Sequence, residues 1–138
     1  MNKGFSFIEL LATLVILGIL TSIAYPNYCR YLTRHHRIDA HTALFNLASK
    51  LEVYHMRHGS YQTPLLTLLN STTSSAGFYE LKIIHADKTS YTLQATPIKS
   101  QATRDLMCQS FILTSLGTED ITTGPSGAPT GNAQSCWS

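Results

Sequence analysis

The sequence lacks the motifs that usually carry enzyme catalysis. Serine, histidine and aspartate are present, but no Gly-x-Ser-x-Gly elbow places a nucleophile beside a base, and there is no glycine-rich phosphate loop. Charge is also scarce, since Asp, Glu, Lys and Arg make up 13% of the 138 residues and the formal net charge is +2. We therefore expect a non-enzymatic protein with no cofactor and no catalytic residues. The charge balance gives no strong general attraction for nucleic acid.

The candidate metal ligands with suitable spacing are histidines, and no neighbouring cysteine or carboxylate completes a ligand set. Imidazoles three or four residues apart on a helix can face one ion. His55 and His58 have this spacing, yet no flanking cysteine or carboxylate completes a ligand set. We favour solvated or packing roles over a metal site for the histidines of the predicted helix, namely His35, His36, His41, His55 and His58.

A long apolar run begins directly after a glycine near the start. Residues 5–24 are apolar, small or hydroxyl-bearing, and Glu9 is the single charged side chain among them. At about 1.5 Å per residue, this run reaches about 30 Å as a helix, which is enough to cross a bilayer. An ionised group inside such a span costs roughly 2.5 to 3.5 kcal/mol, so Glu9 is a candidate functional residue.

The run does not match a cleavable secretory signal peptide. It is too long, and it ends at residues 25–28 without a small-residue cleavage pattern. The indicators of membrane orientation conflict. Lys3 precedes the run, but three arginines follow it at positions 30, 34 and 37, and these favour a cytoplasmic C-terminal side. Cys108 and Cys136, in contrast, are typical of a short domain outside the cytoplasm.

The remaining sequence predicts a long helix followed by mixed structure. Apolar residues at three- and four-residue steps predict an amphipathic helix over residues 27–58, with Gly59 as its stop. We expect Pro26 to kink or loosen the combined helix, and a helix boundary at the membrane surface is the alternative. The apolar positions are Ala40, Leu44, Leu47, Leu51 and Tyr54.

Alternating residues predict a small antiparallel sheet over residues 79–115. A hairpin turns at residues 86–89, and a third strand at about residues 109–115 carries Phe111 and Leu113 on one face. Residues 59–78 are expected to form a loop, and residues 116–138 a C-terminal loop region. The sheet should bury its apolar side against the amphipathic helix, which makes the fold class α+β.

The opening residues Gly4-Phe5-Ser6-Phe7-Ile8-Glu9-Leu10, followed by the apolar run and Pro26, resemble the N-terminus of type IV pilins. The resemblance implies a leader at residues 1–4, cut between Gly4 and Phe5 by a prepilin peptidase, and N-methylation of Phe5. It also implies that Glu9 pairs with the terminal amine of a neighbouring subunit during assembly. A carboxylate and an ammonium attract strongly in low dielectric, which offsets the cost of burying them.

The resemblance extends to the distal helix and the C-terminal region of minor pilins. Residues 37–44, 47–54 and 59–61 are similar to that helix and its exit, and residues 108–137 to the disulfide-bounded region. The implied Cys108 to Cys136 disulfide closes a loop of about 29 residues and would stabilise the fold by roughly 3 to 4 kcal/mol. Cys29 departs from the usual pilin pattern. An inert shielded thiol is favoured over a subunit crosslink or a lipid attachment.

We therefore interpret the chain as a minor pilin, with residues 5–26 forming the membrane and filament-core helix and residues 27–138 a periplasmic head. It would reside in the inner membrane before assembly and in the extracellular pilus afterwards, supporting pilus assembly, motility, adhesion or DNA uptake. The expected partners are other pilin subunits, the prepilin peptidase, the inner-membrane assembly machinery and the membrane itself. DNA is a further partner that the sequence leaves unproven.

Several alternatives stay open. A type II secretion pseudopilin shares the head motif, although the cysteine bracket and the closing Cys136-Trp137 favour the pilus. The second alternative is a receptor pilin that binds DNA or mediates adhesion, and the third is a membrane-anchored enzyme. A basic and aromatic cluster is predicted to form a solvated or headgroup-facing collar rather than a DNA site. It comprises Tyr28, Arg30, Tyr31, Arg34, His35, His36 and Arg37.

Overall fold

The computed structural model describes residues 4–138, apart from the side chain of Leu66, so residues 1–3 of the predicted leader lie outside the described residues. The chain divides into two compact units, of which the first ends at Leu32 and the second comprises Thr33–Ser138. Along the chain lie helix α1 (Phe7–His58), helix α2 (Leu65–Leu68), strands β1 (Tyr79–Ala86) and β2 (Tyr91–Pro97), helix α3 (Lys99–Arg104), strands β3 (Ser110–Thr114) and β4 (Glu119–Thr122), and helix α4 (Ala133–Trp137).

The first unit is the apolar part of α1. This part has the length and composition of a membrane-spanning helix, and no residue of its most apolar stretch is buried within the chain. Leucine and alanine favour the helix, and the hydroxyls of Thr13, Thr21 and Ser22 donate to carbonyls three or four residues earlier. The apolar side chains of this unit therefore need lipid or other helices around them.

Pro26 lies inside α1, and the helix continues on both sides of it. Proline cannot donate a backbone hydrogen bond, and its ring crowds the preceding turn, so inside an α-helix it usually causes a kink or a break. The structure thus differs from the alternative in which the helix ends at this residue. The kink at Pro26 stays a prediction.

The second unit is built on the amphipathic part of α1. Ala40, Leu44, Leu47 and Leu51 are fully buried, as their spacing predicts, while Tyr54 is half-buried. The four buried residues share one core with buried residues of the sheet, among them Tyr79, Leu81, Leu93, Ala95 and Phe111. Each leucine that leaves water in this way contributes roughly 1.5 to 3 kcal/mol. Gly59, at φ 71°, follows the last helical residue in the left-handed conformation that ends many helices.

The sheet has four antiparallel strands in the order β1-β2-β3-β4. Its register places Leu81 beside Ala95, Ala95 beside Phe111, and Phe111 beside Ile121. Every second residue of β2 is buried, which follows from the alternation of side chains along a strand. A register shift between Ile83 and His85 interrupts the β1–β2 ladder near the hairpin turn.

The C-terminal region corrects the prediction of a loop over residues 116–138. It contains β4, which pairs with β3, and α4, whose N-cap Asn132 accepts a hydrogen bond from the backbone N–H of Ser135 at 2.8 Å. Helix α3 also interrupts the region predicted as continuous sheet. β4 carries two acidic residues and shows no apolar alternation, so its strand conformation depends on long-range pairing that a local pattern does not reveal.

The predicted fold class is confirmed: a long N-terminal helix packs on a small antiparallel sheet, and a disulfide bounds the C-terminal region. Cys108 and Cys136 form that disulfide, with their Cα atoms 5.7 Å apart. Both cysteines are buried beside the core. The bridge ties α4 to the residues immediately before β3.

Candidate assembly and ligand-contact surfaces

The start of α1 positions the acid of the pilin-like motif. Ser6 is the residue before the helix, and its carbonyl accepts hydrogen bonds from the N–H groups of Glu9 and Leu10 at 3.1 and 3.2 Å. The N–H of Ser6 donates in turn to the Glu9 carboxylate at 3.0 Å. This is half of a capping box, in which an acid at the third helical position satisfies a backbone donor. The helix dipole also favours a negative charge here.

Glu9 is exposed, and among residues 4–138 no cation lies within ion-pair distance of its carboxylate. One backbone hydrogen bond and the helix dipole compensate only part of the cost of a charge in an apolar span. The described residues therefore provide no counter-charge for Glu9.

The predicted cleavage and methylation positions lie just before the helix. Gly4, Phe5 and Ser6 belong to no helix or strand. The side chain of Phe5 is 85% exposed, and a Cβ atom at Gly4 would meet nothing within 4 Å. The bond between Gly4 and Phe5 thus lies outside regular secondary structure, as is common at sites of proteolysis.

The prediction that Arg37 belongs to an exposed basic collar is wrong. Its guanidinium donates to both carboxylate oxygens of Asp105, from Nε at 2.9 Å and from Nη2 at 2.8 Å. Arg37 is buried, and Asp105 is 1% exposed. The backbone N–H of Cys108 also points at the Asp105 carboxylate, at 3.3 Å. Arg37 is therefore a neutralised internal cation that ties α1 to the segment before the disulfide, and it offers no charge to a lipid or to DNA.

His36 also leaves the predicted collar, because it belongs to a network around Gln101. The His36 ring stacks on Phe78 with 3.7 Å between ring centroids, and its Nδ1 donates to Gln101 Oε1 at 3.2 Å. The amide nitrogen of the buried Gln101 lies 2.9 Å from both the Thr33 carbonyl and the Tyr79 hydroxyl. Burial raises the pKa of Tyr79, so its hydroxyl stays protonated.

The remaining collar residues divide between the two units. Tyr28, Arg30 and Tyr31 lie in the first unit, and Arg34 and His35 are exposed in the second. Cys29 is partly exposed and lies outside the disulfide, which joins the other two cysteines. The predicted collar therefore does not form one basic surface, because His36 and Arg37, two of its seven members, are engaged inside the second unit.

The C-terminal aromatic residue seals the core beside the disulfide. Trp137 stacks on His41 at 4.5 Å between centroids, and Phe111 meets it edge-on at 5.5 Å. The indole N–H donates to the Asp120 carbonyl at 3.0 Å. The Nε2 atom of His41 is buried without a hydrogen-bond partner among the described residues. Burial, with a smaller effect of the Arg37 charge, lowers the pKa of His41.

The two histidines with metal-like spacing have separate neighbours. His55 stacks on Tyr61 at 4.2 Å and donates from Nε2 to the Lys88 carbonyl at 3.0 Å. His58 stacks on Tyr54 at 4.0 Å. Within residues 4–138, no group of three His, Cys, Asp or Glu side chains is arranged to hold a metal ion. His55 thereby links the end of α1 to the turn between β1 and β2.

Asp87 organises that turn. Its carboxylate accepts from the N–H groups of Thr89 and Ser90 at 2.7 Å each, and from the His85 ring at 3.1 Å. These hydrogen bonds, led by the one from Thr89, hold the pKa of Asp87 well below its usual range. The Asp87 carbonyl also accepts from the Tyr61 N–H at 3.0 Å. The hairpin tip is therefore fixed to the segment after α1.

Asp39 is a second anchor that the sequence did not reveal. Its carboxylate accepts hydrogen bonds from the hydroxyls of Ser74 and Ser75 and from the Ala76 N–H, the last at 3.1 Å. The Ser/Thr-rich tract before β1 is thus held on α1. The sequence does show a carboxylate on the helix and, much later, a run of small hydroxyl residues. That these groups form hydrogen bonds with each other depends on the fold and could not be predicted from either segment.

Ion pairs use few of the cations of the second unit. Besides the Arg37 pair, the described residues contain pairs between Lys82 and Glu80 at 3.2 Å and between His85 and Asp87 at 3.1 Å. Six exposed cations of this unit have no ionic partner within the described part of the chain. They are Arg34, Lys50, Arg57, Lys88, Lys99 and Arg104.

Comparisons with known proteins agree with this architecture. The fold is similar to a crystal structure of the Neisseria meningitidis non-core minor pilin PilV, with a TM-score of 0.54 and 20% sequence identity, covering 73% of this chain and 97% of that chain. No curated protein sequence shows significant similarity. The prokaryotic N-terminal methylation motif matches residues 1–25. The family described as "Type IV minor pilin ComP, DNA uptake sequence receptor" matches residues 26–112, more than half of the sequence, and the chain belongs to this family of type IV minor pilins.

Proposed function

We propose that this minor pilin is processed between Gly4 and Phe5, methylated at Phe5, and drawn into a type IV pilus by a charge pair between Glu9 and the Phe5 amine of a neighbouring subunit. The observation that carries this proposal is the position of Glu9. It is the single charge of the exposed apolar run, residues 5–24, and no cation pairs with it within the described residues. Processing creates a new amine four residues away in sequence.

The apolar segment explains why a charge pair is useful for assembly. Lipid tails and packed helices are similarly apolar, so moving the segment from one to the other gives little positional preference. A carboxylate that needs an ammonium in low dielectric penalises every register in which the two groups are apart. The pair thus sets the axial position of the incoming subunit. The same cost keeps misaligned subunits out.

We place the unassembled subunit in the inner membrane, with its head in the periplasm. A spanning helix near the N-terminus supports this placement. So does the Cys108–Cys136 disulfide, because such bridges form in oxidising compartments. The partners are then the prepilin peptidase, the assembly machinery of the inner membrane, and other pilin subunits in the fibre.

Mass spectrometry of the mature chain tests the processing step. The expected N-terminal residue is methylated Phe5, and purified pili should contain that form. A chain recovered from pili with residues 1–4 still attached would contradict the proposal. The readout is independent of any ligand, so it separates assembly from receptor functions.

A second function, capture of DNA during uptake, is favoured by the six exposed cations without ionic partners in the second unit. Phosphate contacts of this kind give binding that weakens steeply with salt. The matching family is described as a DNA uptake sequence receptor, which supports the same function. Arg34 is the one member of the predicted collar among these six cations, because Arg37 and His36 are engaged inside the second unit.

DNA binding is tested with the full chain in detergent micelles. Fluorescence anisotropy with a labelled duplex should show binding whose affinity falls as salt rises. Absence of salt-sensitive binding would overturn the DNA function and leave the assembly proposal intact. An adhesion or motility role has no comparable observation in the structure to support it.

A further inference from the structure

A groove lies on the second unit between the last turns of α1 and helix α2. Its volume is about 320 Å³. The α1 residues that line it recur at three- and four-residue steps, so they share one helix face. The lining residues used below are Lys50, Val53, Tyr54, Arg57, His58 and Leu68.

The groove carries positive charge only. Lys50 and Arg57 are exposed, and none of its described lining residues is acidic. The Lys50 ammonium donates to the Leu68 carbonyl at 3.0 Å, which holds it at the rim between the two helices. Glu52, the acid of this part of α1, accepts instead from the Tyr61 hydroxyl at 3.0 Å. The groove therefore fits an anionic ligand.

A flat aromatic surface lies beside these charges. The rings of Tyr54 and His58 stack with 4.0 Å between centroids and 15° between planes. His58 Nδ1 donates to the Tyr54 carbonyl at 3.0 Å, so the imidazole is held in place by both contacts. Val53, 41% exposed, and the half-buried Leu68 add apolar surface. Stacked rings next to cations suit a planar base that carries a phosphate.

We propose that this groove binds an unpaired nucleotide of a DNA strand, with the base against the Tyr54–His58 pair and the flanking phosphates on Arg57 and Lys50. The inference rests on the proposed DNA function and adds a preference for single-stranded segments to it. Bases of an intact duplex are stacked on one another and do not offer a free face. The volume of the groove accommodates one nucleotide rather than a double helix.

The matched variants are Arg57→Gln and Arg104→Gln. Both arginines are exposed and lie in the last turn of a helix, α1 and α3 respectively, so the two changes remove the same charge from equivalent positions. Tyr54→Leu removes the stacking ring, and Tyr54→Phe keeps it. The full chain is used in detergent micelles, with labelled oligothymidine and its duplex with oligodeoxyadenosine as probes.

Binding to oligothymidine is expected to weaken about tenfold in Tyr54→Leu and to change less than about twofold in Tyr54→Phe. Arg57→Gln should reduce the slope of log affinity against log salt by about 0.7, the value of one phosphate contact on a single strand. Arg104→Gln should change binding to the single strand and to the duplex by the same factor. Duplex binding should be insensitive to the Tyr54 variants.

Three results would overturn the groove assignment. If Tyr54→Leu and Arg57→Gln bind oligothymidine as the wild type does while salt-sensitive duplex binding persists, the DNA function stands and the groove is not its single-strand site. If the wild type binds neither probe, both proposals fail. If the variants lose self-association instead, the occupant is an acidic surface of another subunit. If Tyr54→Leu lowers the melting temperature, its weaker binding could reflect unfolding, and the salt dependence of Arg57→Gln then tests the groove assignment.

Discussion

Helix α1 contains the same apolar residue types in two different surroundings. Leu17, in the first unit, is 60% exposed, whereas Leu47, in the second, is fully buried. The difference comes from the surroundings: the sheet supplies apolar surface to Leu47 within the chain, whereas no sheet covers Leu17 in the described part of the first unit. The second unit therefore buries its apolar residues through contacts within itself. The apolar side chains of the first unit are covered only when lipid or other helices surround them.

The carboxylates show the same contrast. Asp105 is buried, and Arg37 neutralises it through two hydrogen bonds. Glu9 is exposed, capped by the Ser6 N–H, and without a cation in the described residues. One acid has its partner inside the chain and serves stability. For the other, we propose a partner from a neighbouring subunit and a role in assembly.

Replacing Asp105, the buried acid, is expected to change the free energy of unfolding more than any other substitution proposed. Asp105→Ala leaves Arg37 buried without its partner, so the free energy of unfolding should fall by about 3 to 5 kcal/mol. Urea unfolding of the full chain in detergent, followed by the fluorescence of its single tryptophan, measures the loss. Glu9→Ala is the matched control and should leave the unfolding of the head unchanged.

The double variant Arg37→Met with Asp105→Leu sharpens this prediction. It removes both charges, so it should recover much of the stability that Asp105→Ala loses. A loss below about 1 kcal/mol in Asp105→Ala would show that the pair is not desolvated in solution. In that case the contrast between the two acids would disappear.

Removing the disulfide should cost slightly less. Replacing Cys108 and Cys136 together by alanine restores the conformational freedom of the unfolded loop, and the expected loss is about 3 kcal/mol. The same tryptophan signal reports it, because Trp137 directly follows Cys136. Cys29→Ala serves as the control and should unfold as the wild type does. Equal stability with and without the bridge would mean that Trp137 packing alone holds the C-terminal region.

Truncating one leucine in each unit compares the two halves of α1 directly. Leu47→Ala should lower the free energy of unfolding of the head by about 2 to 3 kcal/mol, because it leaves a cavity in the core. Leu17→Ala should change it by less than about 0.5 kcal/mol. Similar losses for both variants in urea unfolding would show that the N-terminal segment contributes to the head's stability.

The smallest expected effect is the pH dependence from His41. Burial and the neighbouring Arg37 lower its pKa below 6.5, so the unfolded chain binds a proton that the folded chain resists. Stability from His41 is therefore complete above pH 6.5 and is lost as pH falls through the lower pKa of the folded state. His41→Gln should flatten unfolding free energies measured between about pH 7 and about pH 5, and the exposed His58→Gln should not.

The elements that could be predicted from sequence are those with a local signal. The period of Ala40, Leu44, Leu47 and Leu51 located the buried helix face, and alternation located three of the four strands. The pilin-like start identified the family because it combines a glycine, a lone acid and an apolar run within a few residues. Each of these patterns reflects one element's own geometry.

The parts that could not be predicted depend on pairs far apart in sequence. Arg37 looked like a surface cation because its partner Asp105 lies 68 residues away. β4 has no apolar alternation and is a strand because β3 pairs with it. The Trp137 contact with His41 likewise joins the end of the chain to α1. Local propensity carries no information on such contacts.

Incorporation of Glu9→Gln into pili tests the central claim most directly. Glutamine keeps an oxygen that accepts from the Ser6 N–H, so the capping hydrogen bond persists while the charge is lost. The amount of variant in purified pili is measured by immunoblot against the amount in the membrane. We predict that Glu9→Gln is processed, folded and retained in the membrane but strongly depleted from pili. Incorporation at the wild-type level would contradict the account.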